Sequence, residues 1–159
     1  MRVRTIAVIG LIVVVAAVAV AVVIAALLTP QASNPAFTTA VAFVQAAGQG
    51  VDSAALTLLD DAMHAYVAAR CADGSPSACI QSYTLPEWGS LVSAIFRRAA
   101  PDGQNWDVEV IAIYQHGEGA SGVCSLIHVA PEPNGWRVAG WAGFVHCGAA
   151  DLASANRAP

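Results

Sequence analysis

The chain has 159 residues, 57% of them apolar and 11% charged, with no lysine. After Thr29 there are five arginines against eleven carboxylates, a net charge near −6, which repels phosphate backbones and excludes a nucleic-acid partner. With the first thirty residues set aside, about 130 remain, enough for one domain with its own core and too few for two.

Residues 6–28 form an unbroken apolar run, IAVIGLIVVVAAVAVAVVIAALL. As a helix it reaches roughly 34 Å, long enough to cross a bilayer with some tilt. Arg2 and Arg4 precede it and no basic residue follows before Arg70. The positive-inside rule therefore expects a single-pass anchor in the cell membrane, with residues 1–5 cytoplasmic and the C-terminal portion extracytoplasmic. A cleaved signal peptide would have a shorter apolar region and a small-x-small site. No cysteine stands at the end of the run, so a lipobox is excluded.

Residues 29–34 read as a linker, from which Ser33 or Asn34 caps a helix with Pro35 in its first turn. Phe37, Val41, Val44 and Gly48 recur at helical spacing, and Gly48 and Gly50 end the helix. Asp52 is expected to cap a second helix, SAALTLLD. The stretch DDAMHAYVAAR reads as helix or strand, its alanines favouring helix. Next, Cys71 and Cys79 bracket a turn-rich loop, ADGSPSA.

Thr84-Leu85-Pro86-Glu87 has the form of a capping box. It predicts a helix carrying Trp88, Leu91, Val92, Ile95 and Phe96 and ending near Ala100, where Arg97 and Arg98 would answer the helix dipole. Beyond it the period changes to two. Residues 106–115, 121–130 and 136–146 read as three strands of an antiparallel meander, joined by HGEGA and PEPNG. Helices first and strands after predict an α+β class, with helices covering one face of the sheet.

Pairing through those turns places the even-numbered residues on the covered face: Trp106, Val108, Val110, Ala112 and Tyr114, then Cys124, Leu126 and His128, then Trp136, Val138, Ala142, Phe144 and His146. The opposite face takes Asp107, Glu109, Ser125 and Arg137. Trp141 falls there too, with Ile111, Ile113 and Val145, and this patch is a candidate homodimer surface.

Four cysteines on the exported side read as two disulfides. Cys71–Cys79 closes locally, leaving Cys124–Cys147 by elimination. The last two fall on opposite faces, so that bond needs an extra residue, which a bulge near Gly140 or Gly143 would supply. Otherwise the cysteines pair across, helix region to sheet. The spacings lack the knuckle of structural zinc, and neither a metal nor a cofactor is expected.

The helix NPAFTTAVAFVQAAGQG, the following VDSAALTLLD and the closing NGWRVAGWAGFV resemble the nuclear transport factor 2-like (cystatin-like) superfamily. The likeness covers most of residues 35–147 and leaves 148–159 as a disordered tail. It implies a curved sheet wrapped around helices as a cone with a pocket, and a family holding enzymes, small-ligand binders and silent modules. An isomerase of that family needs a pocket carboxylate, and none falls on the even face.

His128 is the first residue to test, as a polar ring in the middle of an apolar sheet face. Its functional role would be to orient a ligand or move a proton; its structural role would be a hydrogen bond inside the core. His146 is expected at the pocket rim, with Tyr66, Tyr114, Trp88 and Phe144 around it. His64 with Asp60 and Asp61, and His116 with Glu118, are expected to be solvated. The sequence thus favours a non-catalytic, membrane-anchored binding or interaction module, its partner a small ligand or another membrane or envelope protein. The alternatives are an isomerase- or hydrolase-like enzyme using His128, and an accessory subunit of a larger membrane complex.

Overall fold

In the computed structural model, which describes residues 34–117 and 123–147, four α-helices precede a four-stranded antiparallel sheet. The apolar run at 6–28 and the tail at 148–159 lie outside the described residues. Among the described residues no helix is long and apolar enough to cross a membrane.

The first helix, α1 (Pro35–Gly48), begins where the sequence expects. The Asn34 side chain accepts from the Ala36 amide at 2.9 Å, and Pro35 supplies a φ suited to the first turn. Its buried face, Phe37, Ala40, Phe43, Val44 and Ala47, contacts all four strands. At Gly48 a Cβ would crowd the Leu91 side chain, so glycine lets the end of the helix pack close against it. Helix α2 (Asp52–Leu56) follows, then α3 (Asp61–Arg70), which Asp60 caps by accepting from the Met63 amide at 2.7 Å.

Asp52 does not cap α2, whose N-cap is Val51 without a side-chain bond. Its carboxylate instead accepts from Ser75 Oγ at 2.6 Å, Ser77 N at 2.9 Å and Ser77 Oγ at 2.6 Å. The cysteine loop is thereby tied down, and half of it is helical, as α4 (Pro76–Gln81). Burial alone would raise the Asp52 pKa, but the bonds from Ser75 and Ser77 outweigh it and hold the group below its ordinary value of 3.8. A depressed carboxylate stabilises the fold above its unfolded pKa, and that contribution is lost as the pH falls through the folded value. Asp52→Asn is expected to cost about 1 kcal/mol at neutral pH. In urea titrations its deficit against the wild type should shrink once the pH drops below 3.8.

The helix expected over 84–100 is a strand. A single 3₁₀ turn, Pro86–Trp88, ends at Gly89 with φ +74°, a conformation open to glycine. Thr84 Oγ1 donates to the Ile80 carbonyl, so it closes α4 and opens nothing. Strand β1 (Leu91–Asp102) then pairs with β2 (Asn105–Tyr114). Register shifts leave Val92 and Arg97 without partners, two bulges that break the period of two. The inward residues become Leu91, Ala94, Phe96 and Ala99, a spacing easily read as helical.

Strands β3 (Val123–Glu132) and β4 (Gly135–His146) complete the order β1-β2-β3-β4. Val108 lies opposite Ile127, Val110 opposite Ser125 and Asp107 opposite His128. Even residues of β2 therefore share a face with odd residues of β3, and a one-residue slip moves a whole strand's side chains to the other face. Ile127 and Val129 join the helix-side core, while Cys124, Leu126 and His128 turn to the outer face, contrary to expectation.

Strand β4 carries two shifts, skipping Ala139 and Gly143. The first turns Trp141 inward, against Phe43 at 5.1 Å and Tyr66 at 6.1 Å. Trp141 is therefore core and not part of an outer patch; Ile111 and Ile113 remain on the outer face, half-buried. The first shift also leaves Ala142 outward, and the second returns Phe144 to the inner side. Cys124, turned to the outer face by the β2–β3 register, lies opposite Val145 and joins Cys147 two residues on, with Cα atoms 5.1 Å apart in a disulfide, and Cys71–Cys79 is the other.

Both sheet edges are met by other groups. Gln45 Oε1 accepts from the Ala94 amide of β1 at 2.7 Å. On the β4 side, Leu59 forms a parallel bridge to Val138, with Val138 N to Leu58 O at 2.8 Å and Asp60 N to Val138 O at 3.0 Å.

Candidate functional site

A cleft of about 430 Å³ opens between the C-terminal end of α1, helix α4 and the start of β1. Gln49, Gln81, Thr84 and Ser90 give it neutral polar groups, Ile80, Leu85 and Leu91 an apolar wall, and Tyr114 forms part of its lining. Among the described residues no charged side chain lines it. Behind it stands an aromatic cluster: Trp88 lies 5.3 Å from Tyr114 and 5.2 Å from Phe144, and Tyr83 packs edge-on to Phe144 at 5.1 Å. Burial raises the pKa of Tyr83 and of Tyr114, so both phenols stay protonated at neutral pH, and the Tyr83 oxygen accepts from the Trp141 indole. The Thr84 side chain bonds the Tyr114 hydroxyl.

Of the residues expected around a pocket, Trp88, Tyr114 and Phe144 are thus brought together, with rings filling the space behind the cleft. Tyr66 belongs to the neighbouring contact with Trp141. The His146 side chain lies outside the described ones. His64 and Asp61 are exposed on α3 as expected. His116 Nδ1 lies 2.6 Å from the Glu87 carbonyl, which ties the end of β2 to the 3₁₀ turn.

His128 sits on the outer face, where its Nδ1 is 2.7 Å from Asp107 Oδ1. Its neighbour there is Glu109, only 1% exposed, which accepts from Arg97 Nη1 at 3.0 Å and from Arg98 Nε. The two arginines reach one carboxylate because the bulge at Arg97 sets both opposite Glu109; they answer no helix dipole. Asp107 and Glu109 stand on the face opposite the helices, as the alternation of β2 expects. Both are buried, and the signal for it was the Arg-Arg pair in the facing strand.

A second groove, of about 380 Å³, runs between α1 and β1 along Thr38, Val41, Ala42, Gln45, Ala94, Ile95 and Phe96. No family model, curated protein or solved structure matches the chain.

Proposed function

We propose that this chain is a non-catalytic binding module of the nuclear transport factor 2-like kind, held at the extracytoplasmic side of a membrane by residues 6–28. The observation that carries the reading is the cleft beside Tyr114. Its volume falls within the range of small-molecule sites, and its lining offers hydrogen-bonding groups without an acid, base or nucleophile set to react. The matching ligand is small, uncharged and partly apolar. The anchor and the exported compartment rest on the apolar run and the arginines before it, supported by the two disulfides.

An expected result tests this. Full-length protein in mild detergent should bind members of a neutral fragment library by ligand-observed NMR. Ser90→Trp, at an exposed cleft position, should abolish those hits while leaving circular dichroism unchanged. A library without hits, or hits indifferent to the tryptophan, would sink the proposal.

The Asp107–His128 contact favours a second reading, an isomerase- or hydrolase-like enzyme, because a carboxylate on one imidazole nitrogen prepares the other as a base. Neither of these two cavities includes His128, and the binding reading stands first. Turnover of any substrate that Asp107→Asn abolishes would reverse that order.

A further inference from the structure

The outer sheet face carries a second constellation, remote from the cleft. Asp102 closes the β1–β2 hairpin opposite Asn105, and Asp107 lies opposite Ala100 on one side and His128 on the other. The alternation of β1 places Asp102 on the same face as Ala100. One carboxylate oxygen from each aspartate and one imidazole nitrogen lie within 4.8 Å of one another. Asp107 is 5% exposed and the His128 side chain 16%, so two of the three groups are held by strands and largely withdrawn from water.

We propose that Asp102, Asp107 and His128 form a binding site for a first-row divalent transition-metal ion, zinc above all. Zinc takes imidazole nitrogen and carboxylate oxygen at about 2.0–2.2 Å, which sets neighbouring ligand atoms roughly 3.4 Å apart in a tetrahedron. The Asp107–His128 pair, 2.7 Å apart in a hydrogen bond, opens to that edge as the ring proton passes from Nδ1 to Nε2, and Asp102 exchanges its present interaction for the ion. A neutral imidazole supplies one nitrogen lone pair and keeps its proton on the other nitrogen, so binding needs no net proton loss from the ring. Two carboxylates neutralise the ion, and water completes its coordination. Calcium and magnesium ask for six or more oxygen ligands and gain little from an imidazole. The other grouping of metal-ligating residues, Glu109 with Cys124 and Cys147, is closed to metals while its sulfurs are joined in a disulfide.

The test uses full-length protein without a polyhistidine tag, stripped of metal and kept in mild detergent. Equilibrium dialysis against zinc, followed by elemental analysis, should find one ion per chain. Calcium or magnesium in about hundredfold excess should not displace it. His128→Gln and Asp102→Asn both keep side-chain size, and each should weaken zinc binding at least about tenfold with circular dichroism unchanged. Cobalt in place of zinc should show visible absorption bands that His128→Gln removes. Wild-type protein that retains no zinc, or either variant binding as tightly as wild type, would overturn the three-ligand site.

Discussion

Truncating Phe37 to alanine is expected to cost about 3–5 kcal/mol of unfolding free energy, the range for emptying a fully packed aromatic position. The ring is 1% exposed; it stacks on Phe96 at 4.9 Å with 9° between planes and meets Trp106 edge-on at 5.2 Å. Helix α1 thus pins the two hairpin strands β1 and β2 through one side chain. The loss combines the transfer of a benzyl group from water with a cavity that neither strand can collapse into without breaking its ladder. Urea titration followed by tryptophan emission measures it, since Trp106 reports directly from the site. Val92→Ala, at a bulge position 54% exposed, should stay within about 0.5 kcal/mol of wild type. Similar losses at both positions would mean that α1 does not hold the sheet.

The second large effect concerns the cross-link between β3 and the end of β4. Cys124→Ala with Cys147→Ala is expected to cost about 3 kcal/mol, the loop-closure entropy returned to the unfolded chain for a separation of 23 residues. Alanine is the right replacement at Cys124, which has 0% exposure, because a serine hydroxyl buried there would add a separate penalty. Removing Cys71–Cys79, with a separation of 8, should cost less by the same relation. Denaturation midpoints of the two double variants, with and without reductant, check both the size and the order. A reversed order would show that native-state packing, not chain entropy, sets the contribution of each bond.

Much of this fold could be read before any coordinates existed, and the failures have a common physical origin. Asn34-Pro35 marks the start of α1 because capping is local chemistry, and the period-two runs from Trp106 onward become strands because alternation follows from the pleat. The disulfide pairing also follows from the residues by elimination, but it is the β2–β3 register, and not the one extra residue expected in β4, that brings Cys124 to the face of Cys147. What could not be read is parity. Bulges at Val92 and Arg97 disguise β1 as a helix, the shift at Ala139 turns Trp141 into the core, and the β2–β3 register sends His128 to the other face. Each is a single-residue offset whose cause lies in a partner strand many positions away.

The candidate site suffers most from those offsets. Trp88, Tyr114 and Phe144 meet as expected because each is a large ring on the core side, where any close-packed arrangement gathers them. The cleft beside them is lined largely by Gln49, Gln81, Thr84 and Ser90, polar residues in connections and helix ends that carry no periodic signature. Asp107 and His128 were separated in the sequence reading by one wrong step of register, and that step hid the contact that matters most for metal or proton chemistry.

Gln45 has an effect that extends beyond one molecule. By occupying the Ala94 amide it leaves the open margin of β1 without a donor at the point where a foreign strand would dock. An unguarded margin would offer other copies a ladder of unpaired groups along which to zip side by side. A single glutamine on a neighbouring helix counters that polymerisation while leaving the apolar side chains of the strand free for other contacts.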